Sequence, residues 1–250
     1  MSATEFFDSP QGRRIAYHRS EGQGPWVVFL GGLKSDMEGT KAVHLEAWAK
    51  AQGRAFLRFD YSGHGESSGT FEEGCIGDWH EDTVAVIEAL TKGALVPVGS
   101  SMGGWQALLL ARALPERIHG LVTVAAAPDF TEDGYWASFT HAQKQALEEL
   151  GHVELPSDYI EPYIISKRMI EDGRNNLVLR SDLSLPFPVR CLQGTADTAV
   201  STETALRLVD HVACDDMRLT LVKGADHRFS DAACLALIEE AVVEVLRAAD

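Results

Sequence analysis

Two adjacent serines, Ser100 and Ser101, lie between glycines in the stretch VPVGSSMGGWQALLLARAL, which covers residues 96–114. The spacing Gly-x-Ser-x-Gly fits Ser101 alone, because Gly99 and Gly103 stand two residues to either side of it, whereas Ser100 has larger residues at both positions. Side chains there would collide where a strand turns tightly into a helix, so the turn requires glycine. We therefore predict that Ser101 is a nucleophile and that Ser100 packs behind it.

A serine hydroxyl becomes a good nucleophile only beside a base, and the base in turn needs an acid that orients it. His227 follows the last predicted strand, and Asp197 follows the strand before that one. Since the carboxyl ends of parallel strands meet at one edge of a sheet, we expect both side chains to reach Ser101. Asp129, which follows an earlier predicted strand, is the alternative acid, and we favour Asp197.

An attacked carbonyl develops a negative oxygen that backbone N–H groups must hold. One predicted donor is the N–H of Met102, directly after the nucleophile, at the positive end of the following helix. The other is the N–H of Leu33, which follows the glycine pair Gly31 and Gly32 after a predicted buried strand. Lys34 and Gly32 are expected to lie at the mouth of the same site.

Strands and helices must alternate to place these residues, and the apolar periodicity predicts that they do. This alternation is typical of the α/β fold class, with a mostly parallel central sheet and helices on both faces. Residues 128–186 break the rhythm, look mostly helical without a buried strand, and are predicted to be a cap inserted into a single domain of residues 1–250. The predicted strands cover 13–18, 26–32, 54–60, 94–100, 118–127, 188–194 and 217–224, and the predicted helices 40–53, 78–90, 102–114, 202–212 and 231–249.

Composition excludes several other classes of protein. The net charge of −15 argues against a nucleic-acid partner, which would need an excess of Lys and Arg. No run approaches the roughly 18 apolar residues of a membrane span, and no apolar signal segment is seen near Met1. No cluster has metal-ligand spacing, the glycine-rich loops match no nucleotide motif, and we expect neither metal nor cofactor. The four cysteines show no C-x-x-C pair and are predicted to be core thiols of a cytoplasmic protein, or of a mitochondrial one if a transit peptide has been removed.

With these residues in order, the chain resembles the α/β-hydrolase superfamily over nearly its whole length. A narrower likeness is to the mitochondrial α/β-hydrolase-domain enzymes that remove palmitoyl groups from proteins and cleave acyl glucuronides. That likeness rests on the segment Met37–Lys41 and on Trp105. The wider resemblance is carried by Gly31-Gly32, the run DYSGHGES at 60–67, Gly99 to Gly103, GTAD at 194–197 and Asp226-His227.

The resemblance implies a serine esterase or thioesterase that acts on an acyl ester or thioester, attached either to a small molecule or to a protein. The cap is expected to shape the substrate pocket, and its candidate wall residues are Phe130, Tyr135, Trp136, Phe139, Tyr159, Tyr163 and Met169. Two alternatives stay open at this point. The same scaffold also serves as a small-molecule receptor, and a carbon–carbon bond hydrolase would keep the same three residues.

Overall fold

A computed structural model describes residues 3–155 and 163–247. These residues form ten strands and seven α-helices, in the alternating order that the apolar periodicity predicts. The strands are β1 (Glu5–Asp8), β2 (Arg14–Ser20), β3 (Gln23–Leu30), β4 (Arg54–Phe59), β5 (Leu95–Ser100), β6 (Leu121–Val124), β7 (His152–Leu155), β8 (Tyr163–Ser166), β9 (Val189–Gly194) and β10 (Met217–Val222). The helices are α1 (Thr40–Ala51), α2 (Ile76–Leu90), α3 (Met102–Ala113), α4 (His141–Leu150), α5 (Lys167–Asn175), α6 (Thr202–His211) and α7 (Ala232–Arg247).

Eight of the strands form one sheet in the order β1-β2-β4-β3-β5-β6-β9-β10. The pairs β1–β2 and β2–β4 are antiparallel, and every other pair in this sheet is parallel. The carboxyl ends of β3, β5, β9 and β10 therefore point to the same edge. The fold class predicted from the sequence, a mostly parallel sheet in an α/β protein, is confirmed.

Buried side chains cover both faces of the sheet, because successive residues of a strand point to opposite faces. Val27 and Phe29 of β3 belong to one buried cluster, together with apolar residues of α1 and α7. Val28 and Leu30 of the same strand belong to the other, together with residues of α2, α3 and α6. Within the described parts of the chain, no helix has the length and apolar character that a membrane crossing requires.

The segment between β6 and β9 lies outside the eight-stranded sheet. It contains α4, α5 and a turn of π-helix at Thr131–Trp136, and residues 156–162 of it lie outside the described part of the chain. The sequence analysis did not predict the antiparallel pair β7 and β8, in which only Val153 and Ile165 are buried, so neither is a buried strand. Strands of four residues are too short to show a clear alternation in sequence.

All four cysteines are free thiols. Cys75, Cys191 and Cys234 are buried, as expected for core thiols, and Cys214 is half-buried and donates to the carbonyl oxygen of Phe187.

Candidate active site

Ser101 lies between the end of β5 and the start of α3, in a backbone conformation that L-residues rarely adopt, with φ of 56° and ψ of −120°. Its own N–H donates to the carbonyl oxygen of Val124 (2.9 Å), and its carbonyl oxygen accepts the N–H of Ala127 (3.0 Å). These bonds from β6 and from the loop after it hold the turn in place. A strained residue that the surrounding structure holds in this way is typical of a functional site.

The glycines around Ser101 have no room for a side chain. A Cβ on Gly99 would lie 2.2 Å from the carbonyl oxygen of Gly103, and one on Gly103 would lie 2.0 Å from that of Leu30. Both obstacles are backbone atoms, which cannot rotate away. The spacing that singles out Ser101 in the sequence thus has the steric origin that we predicted.

We expect Gly99→Ala to lower the free energy of unfolding by roughly 3 kcal/mol or more, because the new methyl group must push β5 and α3 apart. Gly31→Ala is the matched control, since a Cβ there meets no atom within 4 Å. Urea unfolding followed by circular dichroism measures both variants. Equal midpoints for the two variants would contradict the steric account.

His227 and Asp197 meet Ser101 at the carboxyl edge of the sheet. His227 Nε2 lies 3.1 Å from Ser101 Oγ, and His227 Nδ1 lies 2.8 Å from Asp197 Oδ2. Asp197 follows β9 and His227 follows β10, two neighbouring parallel strands, so loops far apart in sequence end side by side. The structure thus brings together the three residues that we predicted as nucleophile, base and acid.

The Asp197 carboxylate is held from several sides. Its Oδ1 accepts the N–H groups of Ala199 (2.9 Å) and Val200 (2.8 Å). Burial alone would raise the pKa of Asp197, but the hydrogen bonds from His227 and from these N–H groups outweigh burial and lower that pKa. Asp197 therefore stays ionised at neutral pH and can orient the imidazole.

Gln193, a buried side chain of β9, was missed in the sequence analysis. Its Nε2 lies 3.1 Å from Asp197 Oδ2 and 3.0 Å from the carbonyl oxygen of Val200, so it ties the acid to the loop that carries it. An amide at the end of a predicted strand, four residues before the predicted acid, is the signal that could have found it.

Asp129, the alternative acid, has a different set of partners. Its carboxylate is fully buried and accepts the N–H groups of Val178 (2.8 Å) and Leu179 (3.0 Å), with Arg180 at 3.2 Å. Burial raises the pKa of Asp129 despite these donors. Asp129 joins the start of the inserted segment to its end, while His227 Nδ1 is bonded to Asp197.

The loop after β3 lies directly against the nucleophile. A Cβ on Gly32 would approach the Cβ of Ser101 to 3.3 Å, so only glycine lets the loop come this close without displacing a neighbour. Leu33 and Met102, whose N–H groups we predicted as donors to the oxyanion, both line the same cavity as Ser101 and His227.

This cavity, of about 680 Å³, opens onto Ser101 and His227. Four of the predicted pocket residues line it, namely Gly32, Phe130, Tyr135 and Tyr163, and the ring of Tyr135 is edge-on to that of Phe130. The polar lining that the sequence analysis missed comes from the start of α1 and from the loop after His227. It consists of Thr40, Lys41, Arg228 and Ser230.

Four other predicted pocket residues do not line the cavity, and the prediction is corrected for Lys34, Trp136, Phe139 and Met169. Tyr159, also predicted, lies outside the described part of the chain. Trp136 packs its ring against the cations of Lys144 and Arg174, at 4.7 and 4.5 Å from the ring centre. Phe139 is buried and stacks on Tyr135, behind the cavity wall. The Lys34 ammonium lies over the ring of Tyr163, at 5.0 Å from its centre. Aromatic residues of the inserted segment thus divide between wall and support, which composition alone does not distinguish.

A doubly wound sheet with a strained serine between strand and helix, next to a histidine and an acid from later strands, defines a hydrolase of the α/β type. The alpha/beta hydrolase fold family matches residues 25–153, which is more than half of the chain. The chain belongs to the alpha/beta hydrolase fold family and is a hydrolase, as predicted.

Comparison with individual proteins shows which members of this family the chain is similar to. The chain is 35% identical over 242 residues to palmitoyl-protein thioesterase ABHD10, mitochondrial, of Bos taurus, a match that covers 95% of this chain and 78% of the relative. The solved structure of alpha/beta hydrolase domain-containing protein 10 from mouse is 30% identical, has a TM-score of 0.92 and covers 100% of both chains. A solved structure from Agrobacterium vitis S4 is 37% identical, with a TM-score of 0.94, and covers 98% of this chain and 99% of that one. The resemblance predicted from the sequence motifs is confirmed.

Proposed function

We propose that this chain is a serine hydrolase that cleaves acyl thioesters or carboxylic esters through an acyl-enzyme. The observation that carries the proposal is the continuous hydrogen-bonded chain Ser101–His227–Asp197, whose serine end opens into the cavity. Ser101 Oγ attacks the acyl carbonyl carbon as its proton passes to His227 Nε2. Asp197 holds the Nδ1–H of His227 and stabilises the imidazolium that forms.

The tetrahedral intermediate carries a negative oxygen, which accepts the N–H groups of Leu33 and Met102. Collapse of this intermediate breaks the bond to the thiol or alcohol, which leaves with the proton from His227. Water then attacks the acyl group on Ser101, gives a proton to His227 and releases the carboxylic acid. The serine regains its proton, so the cycle is balanced and needs no cofactor.

Two observations support a long acyl group as substrate. The relatives include enzymes named as palmitoyl-protein thioesterases. The cavity has an aromatic wall from Phe130, Tyr135 and Tyr163, and its volume is in the range of sites that bury a whole small molecule. We extend the proposal to a depalmitoylase-like thioesterase or a carboxylesterase whose inserted segment, over residues 128–186, forms a cap on a single domain.

The location of the protein is part of the proposal. The sequence predicts a cytoplasmic protein, with a mitochondrial location as the alternative, and the ABHD10 relatives are named as mitochondrial, which supports the alternative. The charge of −15 argues against nucleic acid as a partner.

A panel of acyl thioesters and oxygen esters with 2 to about 16 carbons tests the proposal. We expect hydrolysis of both classes, with kcat/KM rising about two- to fourfold per methylene while the chain still meets the apolar wall, because each buried methylene contributes about 0.8 kcal/mol. Ser101→Ala is the blank for every substrate, and acyl glucuronides form a third arm of the panel.

The outcome separates the proposal from its alternatives. Binding of an acyl ligand without turnover of any ester would point to a receptor, and turnover of a carbon–carbon substrate alone would point to the other hydrolase class. A rate that does not change with chain length would remove the argument from the aromatic wall, while leaving the serine chemistry in place.

A further inference from the structure

The four-residue turn that carries Leu33 is held from outside by one buried side chain. The turn is closed by a hydrogen bond from Ser35 N–H to the carbonyl oxygen of Gly32 (3.1 Å). Its third residue, Lys34, has φ of 58°, in the left-handed region that favours glycine. The N–H of Lys34 donates to Nε2 of His64 at 3.1 Å. His64 comes from the glycine-rich loop after β4, a loop that the nucleophile chemistry above does not use.

The contacts of His64 assign its tautomer. A backbone N–H can only donate, so Nε2, facing Lys34, must be the unprotonated nitrogen. The proton is then on Nδ1, which lies 3.2 Å from the carbonyl oxygen of Ser62, a group that can only accept. Burial lowers the pKa of His64 to about 4, so the ring stays neutral and Nε2 remains an acceptor through the neutral range.

The imidazole of His64 is fixed in place by three aromatic rings packed around it. His64 is 4% exposed and is edge-on to the rings of Tyr61, Phe71 and Trp79, at centroid distances of 5.6, 5.5 and 5.1 Å. Trp79 Nε1–H donates to the same Ser62 carbonyl oxygen at 3.0 Å. An acceptor held this firmly by aromatic packing can define the orientation of the peptide that it contacts.

Ser62, whose carbonyl oxygen contacts His64, is itself fixed by a buried carboxylate. The backbone N–H and the hydroxyl of Ser62 both donate to Asp82 Oδ2, at 2.9 and 2.6 Å. Asp82 is fully buried, and its other oxygen accepts Nε–H of Arg13 at 2.5 Å. A line of buried polar contacts thus runs from Arg13 through Asp82, Ser62 and His64 to the turn.

The peptide between Leu33 and Lys34 has two orientations available in a turn of this kind, related by a flip of that peptide. In the flipped form Lys34 returns to an ordinary negative φ, and the Leu33 carbonyl oxygen points where the Lys34 N–H now points. That oxygen would then face the unprotonated Nε2 of His64, acceptor against acceptor. His64 therefore favours the observed orientation and opposes the flipped one.

We infer that His64 is a positioning residue: by holding the Lys34 N–H it anchors the turn and keeps the preceding peptide in place, so that the Leu33 N–H of that peptide faces the oxygen of the tetrahedral intermediate. The inference rests on the proposed function, because it gives His64 a role only if Leu33 is an oxyanion donor. His64 does not touch the reacting atoms. It acts through the backbone of Lys34, and Gly32 of the same turn lies against Ser101.

A matched pair of variants tests this role. His64→Gln places an amide oxygen near the position of Nε2 and keeps an acceptor for Lys34, whereas His64→Leu has similar volume and no acceptor. We expect His64→Gln to stay within about threefold of wild type, and His64→Leu to lose roughly 10- to 100-fold in kcat with little change in KM. Binding of an acyl trifluoromethyl ketone, which forms a tetrahedral oxyanion on the serine, should weaken by a similar factor in His64→Leu only.

Equal kcat in His64→Leu and wild type would overturn the inference, and so would equal losses in the Gln and Leu variants. If His64→Leu does not fold, His64→Asn replaces it, because its shorter amide can reach Ser62 but not Lys34, and the same loss in kcat is expected.

Failure of the proposed function is separable, since wild type would then neither hydrolyse esters nor bind the ketone. Amide exchange at Lys34 would still test the hold on the turn. We expect at least tenfold faster exchange in the variant without an acceptor, and unchanged exchange would overturn the inference.

Discussion

Ser101→Ala is expected to lower kcat for ester hydrolysis by about 10⁴- to 10⁶-fold, because the reaction loses both the atom that attacks and the covalent intermediate. KM for the acyl substrate should change little, since the methyl group of alanine leaves the cavity wall intact. The loss is measured with the best substrate of the chain-length panel. A remaining rate of a few per cent would show that another group attacks the carbonyl.

Ser100→Ala is the matched control for this variant. Ser100 is the neighbouring residue, is buried at the end of β5 and differs from Ser101 in its lack of a glycine two positions to either side. We expect its activity to stay within about threefold of wild type. A fluorophosphonate probe gives a second readout, which should label wild type and Ser100→Ala and should not label Ser101→Ala. Equal labelling of wild type and Ser101→Ala, with loss only in Ser100→Ala, would reassign the nucleophile to Ser100.

The site residues of the turn could be predicted because they depend on short-range geometry. Ser101 needs glycines at two fixed positions, and a Cβ at Gly99 or Gly103 would meet backbone atoms within about 2.2 Å. The five consecutive residues 99–103 contain this whole requirement, so the sequence alone reveals it. Asp197 and His227 could be placed for a different reason, since each lies in the loop after a parallel strand, and such strands end at a common edge.

The cavity wall could not be predicted in the same way. Phe130, Trp136 and Phe139 are all aromatic residues of the inserted segment, yet only Phe130 lines the cavity. The division depends on the π-helical turn at Thr131–Trp136 and on contacts with α5, such as Arg174 against Trp136. Packing of this kind depends on tertiary neighbours, and residue type alone does not reveal it.

The supporting residues Gln193 and His64 lie between these two cases. Each is a polar side chain that the fold buries, and a buried polar group needs partners. What the sequence does not reveal is the partner. Gln193 bonds Asp197, in the loop that follows its own strand, whereas His64 contacts Lys34, in a turn 30 positions away in the chain. A long-range contact of this kind appears only once the strands have been placed in order.

Asp197→Asn is expected to lower kcat by about 10⁴-fold while the protein stays folded. The amide can keep its oxygen on the N–H groups of Ala199 and Val200, which leaves its NH₂ group facing His227 and Gln193. An NH₂ group donates, so it favours the imidazole tautomer with an unprotonated Nδ1 and a proton on Nε2. Nε2 can then no longer accept the proton of the serine.

Asp129→Asn is the control that separates the two candidate acids. Both carboxylates are buried, both accept two backbone N–H groups, and each follows a parallel strand. We expect Asp129→Asn to keep kcat within about threefold of wild type and to lose about 1–3 kcal/mol of stability, because an NH₂ group would face Val178 or Leu179 N–H. Both variants are measured for kcat and for urea unfolding. If Asp197 orients His227, Asp197→Asn loses kcat and stays folded, whereas Asp129→Asn loses stability and keeps kcat. A 10⁴-fold loss of kcat in Asp129→Asn, with Asp197→Asn active, would move the acid to the strand after the nucleophile helix.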